Sequence, residues 1–399
     1  MAKQTHVLVD AAESRVRDGV IAEGAVGQLN WQVRMRTLQG GRTDGVQVVE
    51  IGNGAMTIDV LPTRGMGIWR VRRHLFRNPS PSSGGEQRDS TLGWCAPARG
   101  PVHPGFVPLM EPAGLGWLDG FSELLCRCGL ESNGPPEFDK AGRLLRPLHG
   151  RIANTPAHRV ELLVDEEAQL LNLRGVVDES RFHFQALRLT TSISTTVGSN
   201  QFTWTDEVEN IGGRDALMQM LYHFNIGQPL LQAGARISVP LQAVAPLTEV
   251  AAKEGVDTWN IMPPPRPGSA EQVFACDLAA DEAGDTQVLV SGLTNGEAVS
   301  LKFNKRTLPC FTVWRNTPAA ADGYVLGIEP GTNYPNPRSF EQQHGRVVPL
   351  KPGEKWQASV TVTWHADQRA IAEEEGTLRA IQGNRSPDIY NSPRAAWSL

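Results

Sequence analysis

Alternating apolar and polar residues, with the two-residue period of a β-strand, recur along most of this chain. The alternation is clearest in five consecutive segments that are also rich in β-branched residues, and these predict an antiparallel meander: residues 158–164, 169–177, 182–195, 201–210 and 216–224. Further strands are predicted at residues 46–60 and between residues 287 and 365. Because so many strands must bury their inner faces, we expect an all-β protein, one large antiparallel β-sandwich with few short helices.

Helical patterns are few and short. Residues 11–17 and 243–257 predict one short helix each, and residues 367–382 carry a longer helical pattern. Between residues 78 and 120 Pro and Gly recur every few positions, which predicts a long irregular excursion over one face of the fold. We therefore divide the chain into an N-terminal extension (1–45) that packs on the main domain, a sandwich domain (46–366), and a C-terminal helix and tail (367–399).

Charge and cysteine content narrow the range of partners. The formal net charge of −5 has both signs interspersed, so the sequence offers no basic surface for nucleic acid and no polybasic run for a membrane. No secretion signal or membrane-spanning apolar run is evident, and the five widely spaced cysteines do not form a disulfide framework. We expect reduced thiols, a cytoplasmic location and a neutral or weakly charged small-molecule partner; a homo-oligomer is left open.

Polar side chains that could carry chemistry lie in three short segments. The first, residues 148–154, contains His149, Arg151 and Asn154 and follows a Gly- and Pro-rich approach at residues 129–136. The other two place His223 and Glu329 at the ends of predicted strands. Loops held by a rigid scaffold are where binding and catalytic groups concentrate, so these segments are the candidate site.

The chemistry of these residues suits proton transfer, although each has a plainer alternative. Histidine can donate or accept a proton near neutral pH, but a lone strand histidine is more often structural. Glu329 precedes Pro330 and Gly331 at the end of an apolar strand, where a desolvated carboxylate would have a raised pKa and could act as a base. Side chains that could bind hydroxyl groups, with turn formation or solvation as the alternative, are Glu131, Asn154, Asn225 and Asn333.

Taken together, the phrases at residues 148–154, 222–225 and 328–333 resemble those of the aldose 1-epimerase (galactose mutarotase-like) superfamily, in particular one bacterial branch of it. Further phrases of that branch correspond to residues 62–66, 101–106, 114–120 and 128–138, so the resemblance covers about residues 45–365. It implies a β-sandwich of the supersandwich type. It also implies that a pyranose ring is opened and closed by acid/base catalysis without a metal or organic cofactor.

The resemblance assigns a role to each member of the site. Glu329 would remove the proton of the anomeric hydroxyl, His223 would protonate the ring oxygen, and His149 would hold one of these oxygens and stabilise developing charge. The remaining predicted substrate-binding residues are Arg64, Arg151, Asn154, Asn225, Glu131 and Asn333. For the sugar-binding aspartate of the family, Asp257 and Asp277 are the candidates, and the branch's Asp after Met66 is replaced by Gly67.

These roles lead to one main function and two alternatives. The main one is an aldose 1-epimerase-type isomerase that interconverts the anomers of a free sugar or sugar derivative. The same acid and base could instead serve an epimerase or β-eliminating lyase that acts on an oxidised sugar. The third reading is a carbohydrate-binding protein without catalytic activity.

Overall fold

Strands are the main regular structure of the computed structural model, which describes residues 3–73, 90–96 and 100–399. In chain order they are β1 (Gln4–Asp10), β2 (Arg15–Val16), β3 (Gly19–Val26), β4 (Leu29–Thr37), β5 (Gln47–Gly52), β6 (Met56–Leu61), β7 (Gly67–Arg73), β8 (Ser90–Gly93), β9 (Leu125–Leu130), β10 (Glu137–Phe138), β11 (Leu144–Arg146), β12 (Arg159–Asp165), β13 (Leu170–Ser180), β14 (Ala186–Thr196), β15 (Gln201–Asn210), β16 (Ala216–Gly227), β17 (Arg236–Ser238), β18 (Leu241–Pro246), β19 (Gln272–Leu278), β20 (Asp285–Ser291), β21 (Ala298–Asn304), β22 (Cys310–Asn316), β23 (Val325–Gly331), β24 (Val348–Leu350), β25 (Lys355–His365) and β26 (Asp388–Ile389).

Helices are short by comparison. The α-helices are α1 (Glu249–Glu254), α2 (Arg338–Gln343) and α3 (Gln368–Gln382). Single 3₁₀ turns lie at Gly41–Thr43, Pro62–Arg64, Pro104–Phe106, Gly116–Gly120, Ile152–Asn154, Val256–Thr258, Thr294–Gly296 and Ala320–Asp322. Within the described part of the chain, no helix is long and apolar enough to span a membrane.

Two large sheets form the sandwich. The first has 10 strands in the order β17-β20-β21-β25-β15-β14-β13-β12-β1-β2. The second has 14 strands, of which twelve follow the order β26-β18-β19-β22-β23-β16-β9-β7-β6-β5-β4-β3, while β24 pairs with β16 and β8 pairs with β7. A separate hairpin joins β10 to β11. The predicted large antiparallel β-sandwich is thus confirmed.

The inner faces of both sheets meet in one apolar core. Trp204 on β15 of the first sheet stacks on Phe224 on β16 of the second, with ring centroids 6.1 Å apart. Val360 on β25 and Ile328 on β23 belong to the same buried cluster. This core follows from the alternation in the sequence, because every second side chain of a strand points to the same face.

Most of the predicted local structure is also observed. The long helical pattern is α3, whose N-cap Asp367 accepts a hydrogen bond from the backbone N–H of Ala370, and the helix predicted at residues 243–257 shrinks to α1. The helix predicted at residues 11–17 is wrong: these residues form a turn and β2, which pairs with β1. Of the excursion at residues 78–120, residues 78–89 and 97–99 lie outside the described part.

The division into 1–45, 46–366 and 367–399 stays a prediction. Within the first of these segments, β1 and β2 pair at the edge of the 10-stranded sheet, and β3 and β4 extend the 14-stranded sheet. Strand addition of this kind ties a terminal segment to the body of a protein through backbone hydrogen bonds. The candidate site lies elsewhere, near the middle of the larger sheet, where β9, β16, β23 and β22 are neighbours.

Candidate active site

The outer face of the larger sheet carries the candidate site. On β16, Tyr222 and Phe224 point into the sandwich core, whereas Leu221 belongs to a second, smaller buried cluster on the opposite face. His223 alternates with Tyr222 and Phe224 and therefore faces outward with Leu221. On β23, the same alternation puts Glu329 on the outer face, because its neighbour Ile328 lies in the core. Two sequence-predicted residues thus meet on adjacent strands.

His223 and Glu329 form a close, buried pair. The Nε2 atom of His223 lies 3.3 Å from the Oε1 atom of Glu329, and the two side chains are 5% and 4% exposed. Burial raises the pKa of Glu329 well above its usual value, with a smaller contribution from Glu271. Burial, followed by the nearby His149, lowers the pKa of His223 to about 3. Both shifts favour a neutral pair, with Glu329 protonated and the ring of His223 uncharged, and Oε1 of Glu329 is buried without a hydrogen-bonding partner.

Asn225 fixes the tautomer of His223. The amide nitrogen of Asn225 donates to the carbonyl oxygens of Glu123 and His223, each at 3.0 Å, so its Oδ1 must act as an acceptor. This oxygen lies 2.6 Å from Nδ1 of His223, which therefore carries the proton. The Nε2 atom is left without a proton and faces Glu329. Asn225 is fully buried, so we assign it to positioning His223 rather than to binding sugar hydroxyls.

His149 enters the site from a loop above the sheet. Its backbone has a positive φ of 56°, and Gly150 follows with a φ of 73°. A Cβ at Gly150 would lie 2.2 Å from the Ser132 carbonyl oxygen, so only glycine fits there. The His149 ring approaches that of His223 to 5.7 Å between centroids. Sparsely populated backbone angles of this kind cluster at functional sites.

A chain of amide contacts orients the His149 ring. Its Nδ1 donates to the backbone oxygen of Asn133 at 2.8 Å, which leaves Nε2 as a free acceptor. The side chain of Asn133 forms a reciprocal pair with that of Asn333, at 2.9 and 2.8 Å. The predicted substrate ligand Asn333 is therefore a buried link between the end of β23 and the loop of His149. Burial lowers the pKa of His149 to about 4.

Aromatic rings line the space around the two histidines. The ring of Trp117 lies 4.6 Å from that of His149, and Phe121 lies 4.9 Å from His223. Trp314, on the neighbouring strand β22, lies 5.1 Å from His223 and is only half-buried. A flat, partly exposed ring such as that of Trp314 can stack on the apolar face of a sugar, whereas Trp117 and Phe121 are buried. None of these three residues was among the sequence-predicted site residues, although the chain's high Trp content was a signal.

Arg64 and Asn154 lie behind the site. The guanidinium of Arg64 is buried and pairs with the carboxylate of Glu123, and it also donates to the carbonyl oxygens of Val102 and Gly120 at 3.0 and 2.8 Å. Its Nη1 reaches Oδ1 of Asn154 at 2.6 Å. All three nitrogens of the Arg64 guanidinium donate within the protein, whereas Nδ2 of Asn154 is buried without a partner. We therefore assign Arg64 to holding the covering loop against the sheet, and Asn154 stays a predicted substrate ligand.

Glu123 also belongs to the contacts that support the site from behind, and it was not among the residues predicted from the sequence. It pairs with Arg64, and its other oxygen accepts a 2.5 Å hydrogen bond from the Cys126 thiol, whose pKa is raised by burial. The available signal was a carboxylate directly beside an apolar strand, as at Glu329. Cys126 and Cys128 are buried, on the same face as His223. All five cysteines are described, and all are free thiols.

Arg151 and Glu131 lie at the edge of the site. Arg151 is half-buried, with one weak contact to the Met110 sulfur at 3.7 Å, and its Nε is buried without a partner. The Glu131 carboxylate lies 3.4 Å from Arg146 and 3.7 Å from Arg338. Both predicted residues are thus beside the loop of His149, in contact with groups that sequence reasoning did not select.

The aspartate positions left open by the sequence do not join the pair. Asp257 is exposed, and Asp277 pairs with Lys305. At Gly67, a Cβ would lie 2.9 Å from the Leu125 carbonyl oxygen, so an Asp would not fit without backbone movement. Within the described residues, no group of three His, Cys, Asp or Glu side chains is arranged to hold a metal ion.

Comparison with known proteins agrees with this architecture. A family model described as Domain of unknown function (DUF4432) matches residues 43–364. The chain belongs to the DUF4432 family. It is also 32% identical to a solved Klebsiella pneumoniae protein described as a candidate aldose 1-epimerase, with a TM-score of 0.89 over 97% of this chain and 98% of that one. None of the curated proteins matches the chain.

More distant solved structures share the fold. A candidate aldose 1-epimerase from Escherichia coli K12 is 16% identical, with a TM-score of 0.53 over 80% of this chain and 99% of that one. A galactose mutarotase-like protein from Clostridium acetobutylicum is 13% identical, with a TM-score of 0.52 over 84% and 98%. These two structures show the shared fold alone, whereas the 32% identical Klebsiella pneumoniae protein confirms the resemblance to the aldose 1-epimerase superfamily.

Proposed function

We propose that this protein is an aldose 1-epimerase-type isomerase that interconverts the anomers of a sugar or sugar derivative in the cytoplasm. The observation that carries the proposal is the buried pair of His223 and Glu329, whose Nε2 and Oε1 atoms lie 3.3 Å apart. Ring opening of a pyranose needs one group that takes a proton and one that gives a proton, and this pair supplies a carboxyl group and an imidazole that can serve in these two roles. The proposal therefore uses no metal or organic cofactor.

A proton must first move from Glu329 to His223, because the assigned transfers need an ionised Glu329 and a protonated His223. In the free protein, burial keeps the proton on Glu329 and leaves His223 neutral. Sugar hydroxyl groups that enter the site add polar partners, which offset the cost of charging the pair. With the proton on His223, Glu329 removes the proton of the anomeric hydroxyl while His223 protonates the ring oxygen. The ring opens, the C1–C2 bond rotates, and the reverse transfers close the ring as the other anomer.

His149 and the aromatic rings complete the site in this proposal. The Asn133 carbonyl holds the Nδ1–H of His149, so its bare Nε2 can accept a hydrogen bond from the anomeric hydroxyl. Trp314 offers a half-buried ring beside His223 for the apolar face of the sugar. Arg151, at the edge of the loop, has free donors that can reach a peripheral hydroxyl.

A direct test follows anomer exchange by NMR magnetisation transfer across a panel of sugars. The variant Glu329→Gln keeps the shape of the side chain and removes its proton transfer, so we expect the enzymatic rate to fall about 100- to 10,000-fold. Glu207→Gln, on the 10-stranded sheet, is the matched control and should exchange anomers as the wild type does. Equal rates for the wild type and Glu329→Gln would contradict the role of Glu329.

The same experiment in deuterated water separates the alternatives. Mutarotation exchanges only hydroxyl protons, so deuterium that enters a carbon position of the sugar would indicate an epimerase or β-eliminating lyase that acts on an oxidised sugar. Sugar binding by calorimetry without any catalysed exchange would indicate a carbohydrate-binding protein.

A further inference from the structure

Arg338 is a buried cation without a hydrogen-bonding partner. Arg338 as a whole is 7% exposed to solvent, and its Nε atom is buried without a hydrogen-bonding partner. No hydrogen bond joins its guanidinium to any other described residue; the nearest acid, Glu131, lies 3.7 Å away. The other described arginines that are buried to a similar degree donate several hydrogen bonds each: Arg64, Arg127 and Arg315. Arg338 is therefore the exception among them.

The acids around Arg338 also have other partners. Glu131 is shared with Arg146, whose Nε lies 3.4 Å from it. Glu137 accepts from Arg146 at 3.2 Å and from the backbone of Ser339 at 3.1 Å. Glu179 accepts from the backbone N–H groups of Leu130 and Glu131, and burial raises its pKa. Three carboxylates thus lie among three arginines, and none of these carboxylates accepts a hydrogen bond from Arg338.

The electrostatics of Arg338 reflect these neighbours. Burial lowers its pKa and the neighbouring charge of Arg146 lowers the pKa further, whereas the carboxylates of Glu131, Glu137 and Glu179 raise it. Arg151, which interacts with the same Glu179, also has a buried Nε without a partner. A buried guanidinium carries five N–H donors, and leaving them unpaired is costly unless a further ligand arrives.

This cluster borders the candidate site. The loop that contains Glu131 also supplies the Asn133 carbonyl that holds His149. The Gly134 carbonyl accepts the backbone N–H of His149 at 2.9 Å. A Cβ at Gly134 would lie 1.9 Å from the Asn336 carbonyl oxygen, so the segment that leads to Arg338 packs directly on this loop. Arg338 therefore follows a segment that packs on the loop containing Glu131 and Asn133. Arg151 lies two residues after His149.

We propose that Arg338, with Arg146 and Arg151 beside it, binds an anionic substituent of the sugar, so that the substrate is an acidic sugar carrying a carboxylate or a phosphate ester. The planar fork of a guanidinium matches both groups, with two parallel hydrogen bonds. Glu131 then acts as a positioning residue that holds the two arginines together. This inference rests on the proposed function, and it replaces the neutral or weakly charged substrate that the net charge of the chain suggested.

The test compares galactose, galacturonate and galactose phosphorylated on its exocyclic hydroxyl in the anomer-exchange assay. We expect a wild-type kcat/KM at least about 10-fold higher for one of the acidic sugars than for galactose. The variant Arg338→Gln should lower that preference about 10- to 100-fold, mainly through KM, because it removes one charge-assisted pair. The carboxylate and phosphate arms identify which group is bound.

The matched control is Arg143→Gln. Arg143 is exposed and pairs with Asp139 on the same hairpin, so this variant should keep the wild-type preference. Thermal unfolding checks the fold: because the Arg338 guanidinium has no hydrogen-bonding partner, Arg338→Gln should not lower the melting temperature. A wild-type preference for galactose, or an equal loss for neutral and acidic sugars in Arg338→Gln, would overturn the inference.

Calorimetry separates failure of this inference from failure of the proposed function. The acidic sugar that is preferred, or either one if no sugar is exchanged, is titrated into the wild type, Glu329→Gln and Arg338→Gln. Retained binding in Glu329→Gln with at least about 10-fold weaker binding in Arg338→Gln supports the anion site even without turnover. Equal affinity of all three proteins, or no binding of either acidic sugar to the wild type, refutes it.

Discussion

His223 shows how neighbouring groups determine what a single side chain can do. An isolated histidine titrates near neutral pH, but burial lowers the pKa of this one to about 3. Asn225 accepts from its Nδ1 at 2.6 Å, so the ring presents a proton-free Nε2 to Glu329. The function we propose for His223 thus depends on an amide that is itself fully buried.

Replacing that amide by an acid gives a prediction at the residue scale. In Asn225→Asp, a carboxylate would stand beside Nδ1 and stabilise the charged ring, so we expect the pKa of His223 to rise, by about 1 to 3 units if the carboxylate is ionised. Nitrogen-15 NMR of the ring at neutral pH should show a neutral Nδ1–H tautomer in the wild type and a larger protonated fraction in the variant. A shift of the pH–rate profile in the same direction should accompany it. An unchanged His223 signal would contradict the role assigned to Asn225.

At the scale of elements, strand β23 needs a residue without a side chain at position 327. Gly327 lies two positions before Glu329, on the same outer face. A Cβ at Gly327 would lie 2.6 Å from Oε1 of Glu329 and 3.1 Å from the ring of Trp314. The carboxylate and the aromatic ring therefore occupy the space that any other residue would fill.

Gly327→Ala should damage activity more than stability. The added methyl group displaces the carboxylate from Nε2 of His223, and a misplacement of about 1 Å can lower kcat about 100-fold. Gly376→Ala in α3 is the matched control: its nearest new contact is 3.9 Å away, so activity should not change. The control should also gain about 0.5–1 kcal/mol of unfolding free energy, because alanine is the better helix former. Wild-type kcat in Gly327→Ala would rule out this role.

At the scale of the whole molecule, one ion pair joins the two sheets through the core. Arg127 on β9 meets Asp206 on β15 with two hydrogen bonds of 2.6 and 3.0 Å, and both side chains are fully buried. Arg127 also donates to the Met66 carbonyl oxygen at 2.7 Å, near the tight turn that leads into β7. The other face of β9 carries Cys126 and Cys128 and lies under the site. The ion pair of Arg127 and Asp206 therefore holds this strand in place.

Removing one partner of this pair should destabilise the fold strongly. Asp206→Asn leaves the Arg127 charge buried without its counter-ion. We expect the free energy of unfolding, measured in urea, to fall by about 3–5 kcal/mol. The double variant Arg127→Met, Asp206→Leu should recover much of that loss, because two apolar side chains need no desolvated charges. The exposed pair of Lys355 and Glu207 is the control, and Glu207→Gln should have a small effect. A double variant no more stable than Asp206→Asn would contradict this account.

The buried acid and base also set how the stability of the protein depends on pH. The folded chain keeps the Glu329 proton at pH values where the unfolded chain, with a pKa near 4.5, has lost it, so this group lowers stability as pH rises above that value. His223 acts on the other side: the unfolded chain binds a proton below its pKa of 6.5, but the folded chain does so only near 3, so stability falls as pH drops through that range.

Glu329→Gln should therefore be more stable than the wild type at alkaline pH. We expect the difference in unfolding free energy to exceed about 1 kcal/mol at a pH of about 8 and to be smaller at a pH of about 5. Urea unfolding at the two pH values measures it, with Glu207→Gln as a control that follows the wild type. A constant difference across this range would show that Glu329 titrates normally in the folded protein.

Sequence patterns predicted the fold well because a strand is defined by its neighbours in the chain. The alternation from Gln201 to Asn210 and from Ala216 to Phe224 places one face of each segment in the core without knowledge of its partners. The error at residues 11–17 has the same basis, because so short a segment takes its structure from pairing with β1 rather than from its own pattern.

The sequence by itself determined the β-sandwich, because local periodicity suffices for it, and its short phrases suggested His149, His223 and Glu329 as candidates through their resemblance to a known superfamily. Only the tertiary structure decided which polar side chains serve the site and which support it. Asn333 binds Asn133, 200 positions away, and Arg64 binds Glu123, 59 positions away. Arg338 and Trp314 likewise became candidate substrate-binding residues only through their surroundings in the folded protein. Whether a polar group is satisfied depends on partners from distant strands, and a linear pattern contains no information on their distances.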